Sequence, residues 1–217
     1  MHKPGRRERS GAILTVDLGA LRANYRLLRE RAAPAACSAV LKSDAYGLGA
    51  AAVAPALYEE GCRHFFVAHL DEGIALRPHL ASDADIFVLH GAPPDTEAEF
   101  TAHALIPVLN SLQQIDGWRR HAKARGRALP AIVQVDSGMS RMGLSPLELD
   151  AWLAAPDMLG GIELRYLMSH LACADQPAHP MNAQQLARFN AIRARLPHCA
   201  ASLANSSGIF LSPDYHF

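Results

Sequence analysis

A lysine followed by two glycines gives the densest chemical signal in the sequence, within Ala39–Ala50. Lys42 ends a short apolar run that predicts a buried strand, and Gly47 and Gly49 precede a predicted helix. A lysine amine can form a Schiff base with an aldehyde, and backbone N–H groups before a helix can bind a phosphate. Tyr46 adds a possible hydroxyl donor. Because pyridoxal phosphate needs both an amine and a phosphate site, the segment predicts a site for that cofactor.

The same glycines leave a second hypothesis open. With Ala52 they fit a loose G-x-G-x-x-A pattern, and Glu72 follows at about the spacing of a ribose-binding carboxylate. A nicotinamide-dependent dehydrogenase is therefore an alternative. In a dinucleotide-binding fold, however, the first glycine directly follows the strand, whereas here Lys42–Tyr46 intervene before Gly47. A lone lysine after a strand is also more often a solvated surface charge.

Three further groups of polar residues follow predicted strands. Arg141 lies in a glycine-containing loop, where its planar fork could bind a carboxylate or a phenolate. His170 ends another strand, and Asn205 and Ser206 follow the seventh. Barrel enzymes commonly bind phosphate with the loops after strands seven and eight. Taken alone, such groups are more often a surface arginine, a structural histidine and a turn.

Alternating strands and helices must position these side chains. Asp17 is placed to cap a first helix, and Ala50–Glu60 reads as a helix closed by Gly61. Repeated strand–helix units predict a parallel sheet covered by helices. Seven units predict a TIM-type (β/α)8 barrel that lacks its last strand. The seven predicted strands are Ala39–Lys42, Phe65–Ala68, Ile86–Leu89, Ile106–Leu109, Ile132–Asp136, Tyr166–His170 and Ser202–Asn205.

Composition excludes several classes of protein. The 217 residues are 50% apolar, and 21 basic residues balance 21 acidic ones, which disfavours binding to nucleic acid or to an anionic membrane. The four cysteines form no CxxC pair and the eleven histidines form no HExxH pattern, so no metal site is predicted. Residues 1–10 are basic with no apolar run behind them, which predicts a disordered lead-in, no secretory signal and a cytoplasmic protein. Residues 11–217 are then one domain.

The segment Ala39–Gly49 closely resembles the cofactor-lysine motif of alanine racemases. That family has a pyridoxal-phosphate-binding barrel followed by a β-rich C-terminal domain. The resemblance implies interconversion of L- and D-alanine by a homodimer, with D-alanine supplied for peptidoglycan. The similarity continues through Leu14–Arg29, Val67–Arg77, Ile132–Gly143, Leu167–Phe189 and Asn205–Ser206.

The resemblance also implies a role for each candidate residue. Lys42 would hold the cofactor and act as one of two catalytic bases. Arg141 would lie beside the phenolic oxygen of the cofactor and near the substrate carboxylate, and His170 would pack against its ring. Tyr46 and Ser206 would bind the phosphate, with Asn205 supporting the loop.

The sequence departs from the family pattern in two respects. Gln134 stands where many alanine racemases have a carbamylated lysine, and we expect it to accept a hydrogen bond from Arg141. The second base of the family is a tyrosine of the partner subunit's C-terminal domain, and an arginine at the cofactor nitrogen belongs to the eighth strand. Neither is matched here, so residues 1–217 alone are expected to lack racemase activity. A non-catalytic pyridoxal-phosphate-binding barrel remains an alternative, and the preference between alanine and serine stays open.

Overall fold

A seven-stranded parallel sheet forms the centre of the molecule. The computed structural model describes residues 11–196 and 198–217, so the predicted lead-in at 1–10 lies outside the described residues. The strands pair in chain order, and β1 and β7 are the outer strands of the sheet. They are β1 (Ala39–Val40), β2 (His64–Val67), β3 (Asp85–Val88), β4 (Ile106–Leu109), β5 (Leu129–Gln134), β6 (Ile162–Met168) and β7 (Ala201–Ser202).

Helices connect successive strands, as the alternating pattern predicts. Asp17 caps the first helix by accepting from the backbone N–H of Ala20 at 3.0 Å. Ser145 begins another helix with a capping box to Glu148. The helices are α1 (Leu18–Ala32), α2 (Lys42–Tyr46), α3 (Ala50–Glu59), α4 (Leu70–Leu76), α5 (Glu97–Ala102), α6 (Leu112–Ala124), α7 (Pro146–Ala154) and α8 (Pro180–Ala194). Short 3-10 turns lie at Arg77–His79, Gly208–Phe210 and Pro213–Tyr215. None of the described helices is both long and apolar enough to cross a membrane.

The seven predicted strands and the fold class are confirmed, whereas several predicted strand ends are wrong. β1 ends at Val40, so Lys42 begins a helical turn and does not end a strand. β6 begins at Ile162 and ends two residues before His170. β7 ends at Ser202, three residues before Asn205. In each case the chain leaves the ladder early, because these residues belong to the loops at the carboxyl ends of the strands.

Two apolar layers show that the sheet curls. Alternate strand residues point to opposite faces, so Phe65 packs in the outer core under the helices while Phe66 belongs to a separate inner cluster. The inner cluster consists of Phe66, Phe87, Ile106, Val108, Ile132 and Met168, drawn from five strands. Such an inner cluster is the packed interior of a barrel-type sheet.

Polar contacts cross the interior at the opposite end from the loops described below. Arg165 of β6 pairs with Asp85 of β3, with Nη2 and Oδ2 at 3.0 Å. The hydroxyl of Tyr166, also on β6, lies 3.3 Å from Nε2 of His64 on β2. Since two strands separate β3 from β6 in the sheet, these contacts require strong curvature. The sheet is therefore curled as in a (β/α)8 barrel.

Candidate active site

A cavity of about 720 Å³ opens at the carboxyl ends of the strands. This is the end at which barrel enzymes carry their catalytic residues. All the candidate residues selected from the sequence line it, although they come from four separate strand ends. They are Lys42 and Tyr46 after β1, Gln134 and Arg141 at β5, His170 after β6, and Asn205 and Ser206 after β7.

The lining of the cavity contains two positively charged side chains, Lys42 and Arg141, and four histidines. Lys42, Arg141 and His170 face it together with three histidines that the sequence reasoning missed, namely His69, His90 and His216. Among the described residues that line it, none has an acidic side chain. Opposite charge attracts across a low-dielectric cavity more strongly than in water. The site is therefore suited to an anionic ligand.

Lys42 leads into a left-handed helical turn. The φ angles of Ser43, Asp44, Ala45 and Tyr46 are 54°, 54°, 55° and 56°. Left-handed helical conformation costs an L-residue roughly 1–2 kcal/mol. The turn places Nζ of Lys42 at 5.7 Å from the centre of the Tyr46 ring, within reach of a cation–π contact. Residues other than glycine adopt this left-handed conformation only where the surrounding structure imposes it. The sequence pattern therefore does not predict it.

Arg141 lies in a loop held by hydrogen bonds at its start and across its ends. Oδ1 of Asp136 accepts from the backbone N–H groups of Gly138 and Ser140 at 2.8 and 3.0 Å. The N–H of Asp136 donates to the carbonyl of Leu144 at 3.0 Å, which closes the loop. A closed loop of this kind limits where the guanidinium can reach.

Gln134 is buried beside this loop, with 5% of its surface exposed. Its side-chain Nε2 donates to the carbonyl of Met142 at 3.4 Å. Within the described residues no hydrogen bond joins Gln134 to Arg141, so the predicted contact between them is wrong in this structure. The amide instead faces the loop backbone, since a buried amide donor must find an acceptor.

His170 is positioned by a residue on another element. Gln185 of α8 is completely buried, and its Nε2 donates to the carbonyl of His170 at 2.9 Å. Burial lowers the pKa of His170, and the positive charges of Arg141 and Lys42 lower it further. The imidazole is therefore held towards its neutral form. Sequence reasoning missed Gln185, although a polar residue beside the apolar face of a helix is a recognisable signal.

The loop after β7 presents Ser206 to the cavity. Oδ1 of Asn205 accepts from the backbone N–H of Gly208 at 2.8 Å, and its carbonyl accepts from Ile209 at 3.1 Å. These bonds fold the loop into the 3-10 turn that follows. Ser206 is left exposed at the cavity rim, where its hydroxyl and nearby backbone can meet a phosphate.

The family model for the N-terminal domain of alanine racemase matches residues 16–217. The chain belongs to this family. It is 54% identical to a catabolic alanine racemase of Mesorhizobium japonicum, over 95% of this chain and 54% of that protein. It is 51% identical to the alanine racemase of Brucella abortus, over 96% of this chain and 52% of that one. The chain spans about half the length of the curated relatives it matches.

Solved structures of alanine racemases share the fold. The Bartonella henselae enzyme, described with covalently bound pyridoxal phosphate, superposes with a TM-score of 0.90 at 43% identity, over 93% of this chain and 59% of that one. The Streptomyces coelicolor enzyme gives a TM-score of 0.86 at 34% identity, over 93% and 56%. The family assignment removes the dehydrogenase alternative. The sheet topology agrees with this assignment. Dinucleotide-binding sheets hold their cofactor where the strand order reverses, whereas the seven strands here pair in chain order with no reversal.

Proposed function

We propose that the cavity binds pyridoxal 5′-phosphate and that the whole protein interconverts L- and D-alanine. One observation carries the proposal: Lys42, Arg141, His170 and Ser206 converge on a single cavity. The fold around that cavity is shared with the Bartonella henselae racemase, whose structure contains the cofactor bound covalently.

The residues present fit the cofactor in size and in charge. A volume of about 720 Å³ is in the usual range for a cofactor site. Ser206 and Tyr46 supply hydroxyl donors for the phosphate, and the positively charged side chains of the lining offset its charge. Lys42 supplies the amine, and Leu89 and Met168 give the wall an apolar surface for a ring.

When bound, pyridoxal phosphate withdraws electrons from the substrate α-carbon so that its proton can leave. Lys42 would hold the cofactor through Nζ, and its amine would accept or return the α-proton of the substrate on one face. Arg141 presents a planar pair of N–H donors to a carboxylate or a phenolate. His170, kept towards its neutral form, would pack against the ring without adding a further positive charge.

Racemisation needs a proton donor and acceptor on the opposite face of the α-carbon as well. The family resemblance assigns this role to a tyrosine of the partner subunit's C-terminal domain, so we propose that the whole protein acts as a homodimer. A cytoplasmic location, supply of D-alanine for peptidoglycan, and preference for alanine over serine stay predictions of the same resemblance.

Covalent labelling tests the proposal directly, because the sequence contains three lysines, Lys3, Lys42 and Lys123. Borohydride treatment of the protein with pyridoxal phosphate should fix the label on Lys42, as read by peptide mass spectrometry. Lys42→Ala should abolish the label, whereas Lys123→Ala, at an exposed position on α6, should retain it. A label that persists on another lysine contradicts the assignment. Racemisation of alanine by the whole protein then separates an enzyme from a non-catalytic cofactor-binding barrel.

A further inference from the structure

The carboxylate of Glu72 joins the ends of two neighbouring strands. Its Oε1 accepts from the backbone N–H of Ser43, directly after Lys42, at 2.7 Å. Its Oε2 accepts from the N–H groups of Ala68 and His69, which follow β2, at 2.6 and 3.1 Å. Three backbone donors therefore converge on one ionised group, and such charge-assisted hydrogen bonds are among the stronger ones in proteins.

The bond to Ser43 lies where the backbone of α2 needs support. Ser43 is the first residue of the left-handed turn, with φ of 54°. Conformations of this kind persist at functional sites only where the surrounding structure holds them in place. β1 contributes just Ala39–Val40 to the sheet, so few ladder hydrogen bonds reach the lysine. At the far end of the turn, Oδ1 of Asp44 accepts from the N–H of Ala50 at 2.7 Å.

We propose that Glu72 is a positioning residue that fixes the backbone next to Lys42 and so aims its amine into the cavity. The inference rests on the proposed function, because it concerns how Lys42 reaches the cofactor. It also accounts for the spacing between the glycines and Glu72 that suggested a ribose contact: both carboxylate oxygens are engaged by backbone N–H groups.

Glu72 also stands in the first turn of α4, where it completes a capping box with His69. A residue with a capping role alone would change the stability of the protein but not the reactivity of Lys42. The experiment must therefore measure both properties. Asp71 provides a matched control, since it lies in the same first turn and is exposed.

The test compares Glu72→Gln with Asp71→Asn in the purified whole protein. Glutamine keeps the size of the side chain, but its NH2 group cannot accept from an N–H, so the contact to one strand end must be lost. The first readout is the rate at which Lys42 captures pyridoxal phosphate, followed by borohydride trapping. The second is the affinity for pyridoxine 5′-phosphate, which lacks the aldehyde, and the third is the thermal unfolding temperature.

For Glu72→Gln we expect capture to slow about tenfold or more, because a small misplacement of a reacting group is costly in rate. Pyridoxine 5′-phosphate should lose affinity by a clearly smaller factor than capture slows, since Tyr46 lies in the same turn whereas Ser206 and Arg141 do not contact Glu72. Asp71→Asn should match the wild type in all three readouts. Glu72→Asp keeps the charge but has a shorter side chain, so it should also capture pyridoxal phosphate slowly.

Wild-type capture by both Glu72→Gln and Glu72→Asp would overturn the inference while Lys42 labelling in the wild type still supports the proposed function. An equal loss of capture and of pyridoxine 5′-phosphate binding, together with a lower unfolding temperature, would show a purely structural role and would overturn it as well. Absence of any label on Lys42 in the wild type would instead contradict the proposed function itself.

Discussion

Oγ of Ser137, after β5, lies 2.7 Å from Oγ of Ser169, which follows β6 and lines the cavity. Gln185 extends this contact, because its Nε2 lies 3.3 Å from Oγ of Ser137 as well as bonding to the carbonyl of His170. Its Oε1 accepts from the N–H of Ala172 at 2.8 Å. One buried amide on α8 therefore links the loop that carries Arg141 to the segment that carries His170.

Gln185→Met should lower the free energy of unfolding by about 2–4 kcal/mol, because it leaves several buried polar groups without partners. Urea denaturation measures this loss. The control is Gln184→Met on the same helix, where the side chain is exposed and the change should stay within about 0.5 kcal/mol. Equal effects at the two positions would show that the buried hydrogen bonds contribute little.

Asp136 should control the position of Arg141 through the two backbone N–H groups that its Oδ1 accepts. In the whole enzyme, Asp136→Ala should lower kcat/KM for alanine about tenfold or more, because the loop loses its internal anchor. Asp136→Asn keeps an oxygen acceptor and should stay closer to the wild type. If asparagine and alanine are equally damaging, the charge of Asp136 matters and its hydrogen-bond geometry does not.

Gly143→Ala should be more destabilising than Gly126→Ala. Both glycines have positive φ, +99° and +67°, so each substitution carries a backbone cost of about 1–2 kcal/mol. A Cβ at Gly143 would also lie 2.8 Å from the backbone carbon of Val135, whereas nothing lies within 4 Å at Gly126. The difference should be about 1–3 kcal/mol in urea denaturation. Equal losses would mean that the loop can move aside.

The stability of the protein should fall as pH drops below about 6.5, in part because of His170. Its pKa in the folded state is lowered by burial, by Arg141 and by Lys42, so the unfolded chain binds the proton first. The favourable contribution is therefore present above the unfolded-state pKa and is lost as pH falls towards the folded-state pKa. Cofactor-free His170→Gln should lose less unfolding free energy between about pH 7.5 and 5.5 than the wild type. Parallel pH profiles for the two proteins would contradict the direction of the pKa shift.

Gln134 should make the enzyme independent of bicarbonate, since a glutamine amide cannot be carbamylated. We expect the racemase activity of the whole protein to survive removal of carbon dioxide. Gln134→Lys should gain bicarbonate dependence, because it restores the amine that carbamylation needs. Loss of wild-type activity on removal of carbon dioxide would show that bicarbonate acts at a residue other than Gln134.

The fold class, the seven strands and the candidate residues of the cavity could all be predicted from the sequence. These features follow from local signals: short apolar runs, glycines before a helix, and polar residues placed after strands. Parallel strands bring their carboxyl ends to one side of the sheet, so Lys42, Arg141, His170 and Ser206 could be grouped without coordinates. The family resemblance then gave each of them a role.

The contacts that hold these residues in place are set by the tertiary fold and could not be predicted from the sequence. The left-handed turn after Lys42 is hydrogen-bonded at Ser43 to Glu72, a residue 29 positions away along the chain. The placement of His170 depends on Gln185, and the Gln134 amide contacts a loop carbonyl and not Arg141. A backbone N–H or a side-chain amide can form a hydrogen bond with many different partners. The local sequence favours none of these partners strongly. The choice among them is fixed only when packing of the sheet and the helices brings one partner within hydrogen-bond distance and excludes water from the others.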